Sequence, residues 1–268
     1  MLTFNIGSLV ISLSHLLLIS ALLVATLIGR RVARKGGERL DSVLFWLLMQ
    51  GLLIARASFV LVYQEHYGSD LWRIIDVRDG GFLALPGAIA VVFGALIWGW
   101  QRTALRRPLA ASVVSGMLLW GLGTLSLSVY EKGTRLPEIP VRAISGETVQ
   151  LTDHQGRPLV INLWATWCPP CRREMPVLQK AQEEHPDVNF LFVNQGEGLD
   201  IVNKFLSSQK LALNNILFDG GGRLGQIVGS MALPTSLFYS ADGRLVSSHL
   251  GELSDASLAR ALEQFEER

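Results

Sequence analysis

The chain has 268 residues and a formal net charge of +1, from 24 Lys+Arg against 23 Asp+Glu. That sum conceals a split, because residues 1–130 carry 11 basic and 6 acidic side chains (+5) while residues 131–268 carry 13 and 17 (−4). With 49% apolar and 18% charged residues it is neither a disordered chain nor an ordinary single soluble domain, and neither half is basic in the pattern of a nucleic-acid surface.

Residues 9–28 contain no formal charge. At about 1.5 Å per residue they cover about 30 Å, the hydrocarbon thickness of a bilayer. Comparable stretches follow at 43–62, 82–100 and 109–129. Four such runs within 130 residues predict a transmembrane bundle rather than a set of buried core helices. Residues 1–28 do not read as a cleaved signal, since the positive charges follow the apolar run instead of preceding it.

The connections set the orientation. The first carries Arg30, Arg31, Arg34, Lys35 and Arg39 against Glu38 and Asp41, and the third carries Arg102, Arg106 and Arg107 with no acid. The second carries Glu65, Asp70, Asp76 and Asp79 against Arg73 and Arg78. Lys and Arg collect on the cytoplasmic side. The N-terminus is therefore expected outside, and after four crossings so is everything beyond residue 131. Arg56 is a charge inside a span. It either snorkels to the interface or faces the bundle or a lipid head group. His15 is expected to hydrogen-bond between helices.

Composition changes after Tyr130. The predicted order is a bundle at 1–130, a linker at 131–135 and an α/β domain at 136–268, with Pro137 and Pro140 in extended chain. Strands are expected at 148–151, 159–164 and 189–193, and helices from Pro169 and over 200–207. Strands at 235–239 and 244–249 flank Ala241-Asp242-Gly243, a hairpin signal. Ser254, followed by Leu258, Ala261, Leu262 and Phe265, predicts a capped amphipathic closing helix. This alternation predicts one mixed sheet with helices on both faces.

The chemistry is expected at Trp164-Ala165-Thr166-Trp167-Cys168-Pro169-Pro170-Cys171. A Cys-x-x-Cys between a buried strand and a helix puts the first sulfur at the positive helix end, which favours the thiolate of Cys168. Cys171, one turn in, is expected to be more buried. Pro169 and Pro170 suit the first turn, where a missing N–H costs little. An exposed nucleophile with a resolving thiol is what dithiol–disulfide exchange needs. A purely structural disulfide or half a zinc site is the alternative. The strand–helix setting and the two-cysteine total favour exchange.

With these residues, 136–268 resembles the TlpA/ResA/DsbE type of membrane-tethered thioredoxin-like thiol–disulfide oxidoreductases of the bacterial periplasm. The matching segments are 164–171, Arg173-Glu174-Met175-Pro176, Leu233-Pro234-Thr235 and Ala241-Asp242-Gly243-Arg244. The resemblance implies a thioredoxin-like fold with a cis Pro234 facing the cysteines, beside which an extended client chain pairs. Leu233, Pro234, Trp167, Pro169 and Pro170 would then bound the substrate surface, with Trp164 in the core. Asn162 stands where thioredoxins carry a buried Asp. The resemblance gives Glu174 a role in tuning the cysteines, against the alternative of a surface glutamate beside Arg172 and Arg173. Pro176 is expected to kink its helix.

The first half resembles prolipoprotein diacylglyceryl transferase at Ile54-Ala55-Arg56-Ala57-Ser58-Phe59-Val60 and at Asp79-Gly80-Gly81-Phe82-Leu83-Ala84-Leu85-Pro86-Gly87. Leu85 stands at that family's functional His, and Pro86 at a Gly. The resemblance implies a phospholipid contact for Arg56.

The expected activity is therefore a membrane-anchored periplasmic disulfide reductase without metal or organic cofactor, its redox group being the Cys168–Cys171 pair. An oxidase using the same residues, or a lipoprotein-related protein with a redox domain, is the alternative. Expected partners are protein thiols or disulfides, membrane lipid, and a separate transmembrane thiol reductase as electron donor, because the first half has no cysteine.

Overall fold

The computed structural model describes residues 3–6, 9–33, 37–68 and 72–266. Arg34, Lys35 and Asp70, used above for orientation, lie outside the described residues. The chain forms two compact units. One comprises Leu13–Ile75 and Gly81–Leu127; the other comprises Met1–Ser12, Asp76–Gly80 and Ser128–Arg268.

The first unit is helical. Its long helices are α1 (Leu13–Ala33), α2 (Gly37–Val62), α4 (Ala84–Gln101) and α5 (Arg106–Lys132), with a single turn α3 (Trp72–Ile75). Four helical segments are long and apolar enough to cross a membrane, in line with the four apolar runs. The first starts later than expected, because Leu9–Ser12 is strand β2, paired antiparallel with β1 (Thr3–Ile6) from Thr3↔Ser12 to Ile6↔Leu9. Helices α2 and α4 meet closely at Gly87. A Cβ there would lie 2.8 Å from the Gly51 carbonyl oxygen and 2.9 Å from the Ala55 methyl. Leu40, Val43, Leu47, Leu105 and Leu109 form the buried centre. Large apolar side chains such as Leu23, Leu53, Phe93 and Leu96 remain exposed, the pattern of helices solvated by lipid. His15 is exposed.

The second unit is built on a seven-stranded sheet in the order β4-β3-β7-β6-β5-β8-β9. Its strands are β3 (Pro140–Ala143), β4 (Thr148–Gln150), β5 (Leu159–Trp164), β6 (Asn189–Gln195), β7 (Ile216–Asp219), β8 (Thr235–Tyr239) and β9 (Leu245–Leu250). Strand β5 is parallel to β6 and antiparallel to β8. The helices are α6 (Pro169–Glu184), α7 (Leu199–Gln209), α8 (Arg223–Ile227) and α9 (Asp255–Glu266).

Every residue of β5 is buried, so its alternation assigns side chains to two cores. Val160 and Trp164 join Phe190, Phe192 and Phe238 under α6, α7 and α9. Ile161 and Leu163 join Leu191, Val193 and Leu237 on the other face, covered by Leu136, Leu151 and Leu224. Helices lie on both faces of the mixed sheet, as expected, but unevenly. The three longer helices share one face, and the other carries only the short α8 with the chain around 136–151.

Two corrections concern short elements. Residues read as extended chain include β3, which pairs with both β4 and β7. The 131–135 linker is not free chain. Helix α5 runs to Lys132, Arg135 bridges Arg244, and the Leu136 N–H donates to the Gly243 carbonyl. The closing helix is capped as expected, the Ser257 N–H donating to Ser254 Oγ at 3.2 Å.

Candidate redox site

Helix α6 begins where β5 ends, at the carboxyl edge of the parallel strands. Cys168 is its N-cap residue, with Sγ accepting from the Cys171 N–H at 3.3 Å. Pro169 and Pro170 occupy the first two helical positions, where the backbone needs no donor. The Cys168 and Cys171 sulfurs are joined in a disulfide, with Cα atoms 5.3 Å apart. Cys171 is fully buried, as expected, but the exposed sulfur expected at Cys168 is not found in this oxidised form. Cys168 is 3% exposed and packs in the core cluster with Trp164 and Met175. Trp167 is 67% exposed beside it. Trp164 is core, its ring 5.7 Å from that of Phe205.

Glu174 is 0% exposed, one turn beyond Cys171 on the same helix face. Its two oxygens are held from opposite sides. Oε1 accepts from Asn162 Nδ2 at 2.8 Å, and Oε2 accepts from the Leu253 N–H at 2.9 Å. Asn162 lies on β5 between Val160 and Trp164, facing α6, and also donates to Ser236 Oγ at 3.0 Å. Burial pushes the Glu174 carboxyl up to about 8 from the ordinary 4.5, against the pull of those two donors; Glu252 adds to the rise. This geometry excludes the surface-glutamate alternative. The neighbouring arginines turn elsewhere, Arg173 to Glu252 (Nη2–Oε2 2.5 Å) and Arg172 over the Phe205 ring. Pro176 lies inside α6, which continues to Glu184.

The Leu233–Pro234 peptide bond is cis. Pro234 is buried, and Leu233 packs against both cores. Pro169 is exposed and Pro170 half-buried.

Sequence reasoning missed a second carboxylate. Glu197 follows β6, and its side chain accepts from the Thr166 N–H at 2.7 Å, from the Thr166 hydroxyl, and from Asn194 Nδ2 at 2.7 Å. The signal was a Gly-Glu-Gly at the carboxyl edge of a buried parallel strand, where α/β folds place their sites.

In the helical unit, Arg56 is 8% exposed and faces protein. Nε, Nη1 and Nη2 donate to the carbonyls of Ile74 (3.0 Å), Gly81 (2.9 Å) and Arg73 (3.1 Å). The guanidinium also lies over the rings of Phe59, Tyr67 and Phe82. The snorkelling alternative is excluded. Those three bonds hold the connection between α2 and α4. Leu85 is 72% exposed at the start of α4.

A helix-capping cysteine pair on the carboxyl edge of a mixed sheet, with a buried carboxyl one turn along, is the arrangement that dithiol–disulfide exchange requires. Residues 131–262 match the Redoxin family, and the chain belongs to the thioredoxin-like thiol–disulfide oxidoreductases. It is 30% identical to the thioredoxin-like protein YneN of Bacillus subtilis, over 50% of this chain and 79% of that one. It is 27% identical to the thiol-disulfide oxidoreductase ResA of Bacillus thuringiensis, over 50% and 78%. Among solved structures, a thioredoxin-family thiol:disulfide interchange protein of Chlorobium tepidum aligns over 48% of this chain and 94% of that chain, at 23% identity and a TM-score of 0.43. Residues 1–124 match the prolipoprotein diacylglyceryl transferase family.

Proposed function

We propose that the protein is a polytopic inner-membrane disulfide reductase whose Cys168–Cys171 dithiol works on the periplasmic side. The reduced Cys168 thiolate attacks a client disulfide, forming a mixed disulfide and releasing one client thiolate, which takes a proton. Cys171 then loses its proton and attacks Cys168 Sγ. The second client thiol leaves and is protonated, and the enzyme disulfide re-forms. Trp167, Pro169, Pro170, Leu233 and Pro234 bound the surface on which the client chain lies.

The observation that carries this reading is Glu174. A carboxyl at about 8 is closely matched to a thiol of ordinary pKa about 8.5, so a proton passes between Glu174 and Cys171 at little cost. Asn162 cannot ionise, so Glu174 takes the proton-handling place that an Asp holds in thioredoxins. A Cys171→Ser variant should accumulate client proteins disulfide-linked to Cys168. Absence of any mixed disulfide in membranes of cells making this variant would sink the enzymatic mechanism. For direction, a reduction potential near about −270 mV supports the reductase, and one near about −120 mV would make the protein an oxidase.

Reductive recycling comes from a separate membrane thiol reductase, since both cysteines lie in the redox unit. Vesicles containing only this protein should fail to reduce Cys168–Cys171 from an internal dithiol. The transferase-like helical unit supports a second role, recruitment of membrane-bound clients or lipid, with Arg56 as the residue to test. Replacing it with one plain helix should then lower reduction of membrane clients more than of soluble ones.

A further inference from the structure

Between the last residue of β5 and the helix cap, Ala165, Thr166 and Trp167 belong to neither sheet nor helix. This segment carries Trp167 and aims Cys168, so its conformation sets what a docking chain meets. Two constraints act on it. The Cys168 N–H closes a turn onto the Ala165 carbonyl at 3.2 Å. The other is Glu197, 31 residues away in sequence, which engages both the N–H and the hydroxyl of Thr166.

Glu197 is itself held. Asn194 donates from its side chain to Glu197 Oε2, and its Oδ1 accepts the Glu197 N–H at 3.2 Å. Gly196, at φ +82°, reverses the chain so that the carboxylate points back across the sheet edge; its N–H is fixed on the Asp219 carbonyl. Asn194 is fully buried, so the clamp is anchored in the strand core rather than on a loose loop. Bonds to an ionised acceptor are stronger than neutral ones, and three converge here. Leu199 and Ile201, just beyond the clamp, are exposed apolar side chains, as is Trp167.

We propose that Glu197 is a positioning residue of the redox site. Acting through Thr166, its carboxylate holds Trp167 and Cys168 in the geometry that a client polypeptide requires. It touches neither sulfur, so it is not a catalytic group. This proposal rests on the reading of Cys168 as the attacking sulfur.

The test uses the full-length protein in detergent, reduced and then mixed with either of two disulfides. One is a short disulfide-bonded peptide that must dock. The other is dipyridyl disulfide, which needs only the sulfur. The readout is the ratio of the two second-order rate constants, with thermal melting followed in parallel. Glu197→Gln and Thr166→Val should lower the ratio about tenfold, the scale of one hydrogen bond to a charged group. Thr166→Ser, which keeps both donors, should restore it. A ratio that stays at the wild-type value in Glu197→Gln and Thr166→Val, with only melting lowered, would reduce Glu197 to a fold-stabilising residue and overturn the proposal. Wild-type protein inert to both disulfides would overturn the reading of Cys168 as nucleophile, and the positioning role with it.

Discussion

Glu174 illustrates how much one side chain can owe to residues far along the chain. Its acidity is set by burial, and its folded value lies above its unfolded one. The protonated form is therefore favoured by folding. This contribution is fully present below about pH 4.5, declines as pH rises towards 8, and is constant above that. Thermal melting of the wild-type protein should fall across that window more steeply than melting of Glu174→Gln. At pH 5 the variant should be less stable by about 1–3 kcal/mol, because its amide turns an N–H towards the Leu253 or Asn162 donor. Equal slopes for the two proteins would refute the assigned proton. The cysteine pair and Glu174 were legible in sequence because their spacing, three residues, is a local helical relation. Glu197 was not, since its partner Thr166 is brought near only by parallel pairing of β5 and β6. Ser236, brought to Asn162 by antiparallel pairing of β5 and β8, and Leu253, between β9 and α9, complete the cradle of Asn162 and Glu174 and are likewise distant in sequence.

Among the elements, the long periodic segments and the short β4 were legible, and other short ones were not. Strand β7 has four residues and α8 five, too few to establish a period. Strand β3 begins with Pro140, which reads as a linker signal. It is tolerated there because the first residue of a strand can do without a ladder donor. Helix α9 was legible through its cap and apolar stripe, and its packing gives a prediction. Leu258 is buried in the core cluster on the side of the three longer helices, so Leu258→Ala should cost about 2–5 kcal/mol in denaturant unfolding of the redox unit. In the helical unit, a methyl at Gly87 has no room against the Gly51 carbonyl. Gly87→Ala should lower the unit's stability by about 1–3 kcal/mol, read from melting in micelles. A melt indistinguishable from wild type would mean that α2 and α4 are not held this closely.

For the whole molecule, the uneven charge of the two halves becomes a statement about sides of a membrane. The basic first and third connections should face the cytoplasm and the acidic redox unit the periplasm. In a Cys168→Ser/Cys171→Ser background, Glu147→Cys should react with an impermeant maleimide in intact spheroplasts. Arg107→Cys should react only after permeabilisation; the reverse pattern would invert the topology. Charge alone carries the expected orientation, whereas nothing local in the sequence signals the way the redox unit closes on itself. That closure has a consequence for biogenesis. The amide that fastens Glu174 is 79 residues further along the chain, so ribosomes deliver both thiols long before the segment that seals them. Until β9 and α9 arrive, the sulfurs lack their finished proton inventory and their cover. The finished redox site is thereby tied to completion of the domain, and a stalled or truncated nascent chain carries its two cysteines without the amide that fastens Glu174.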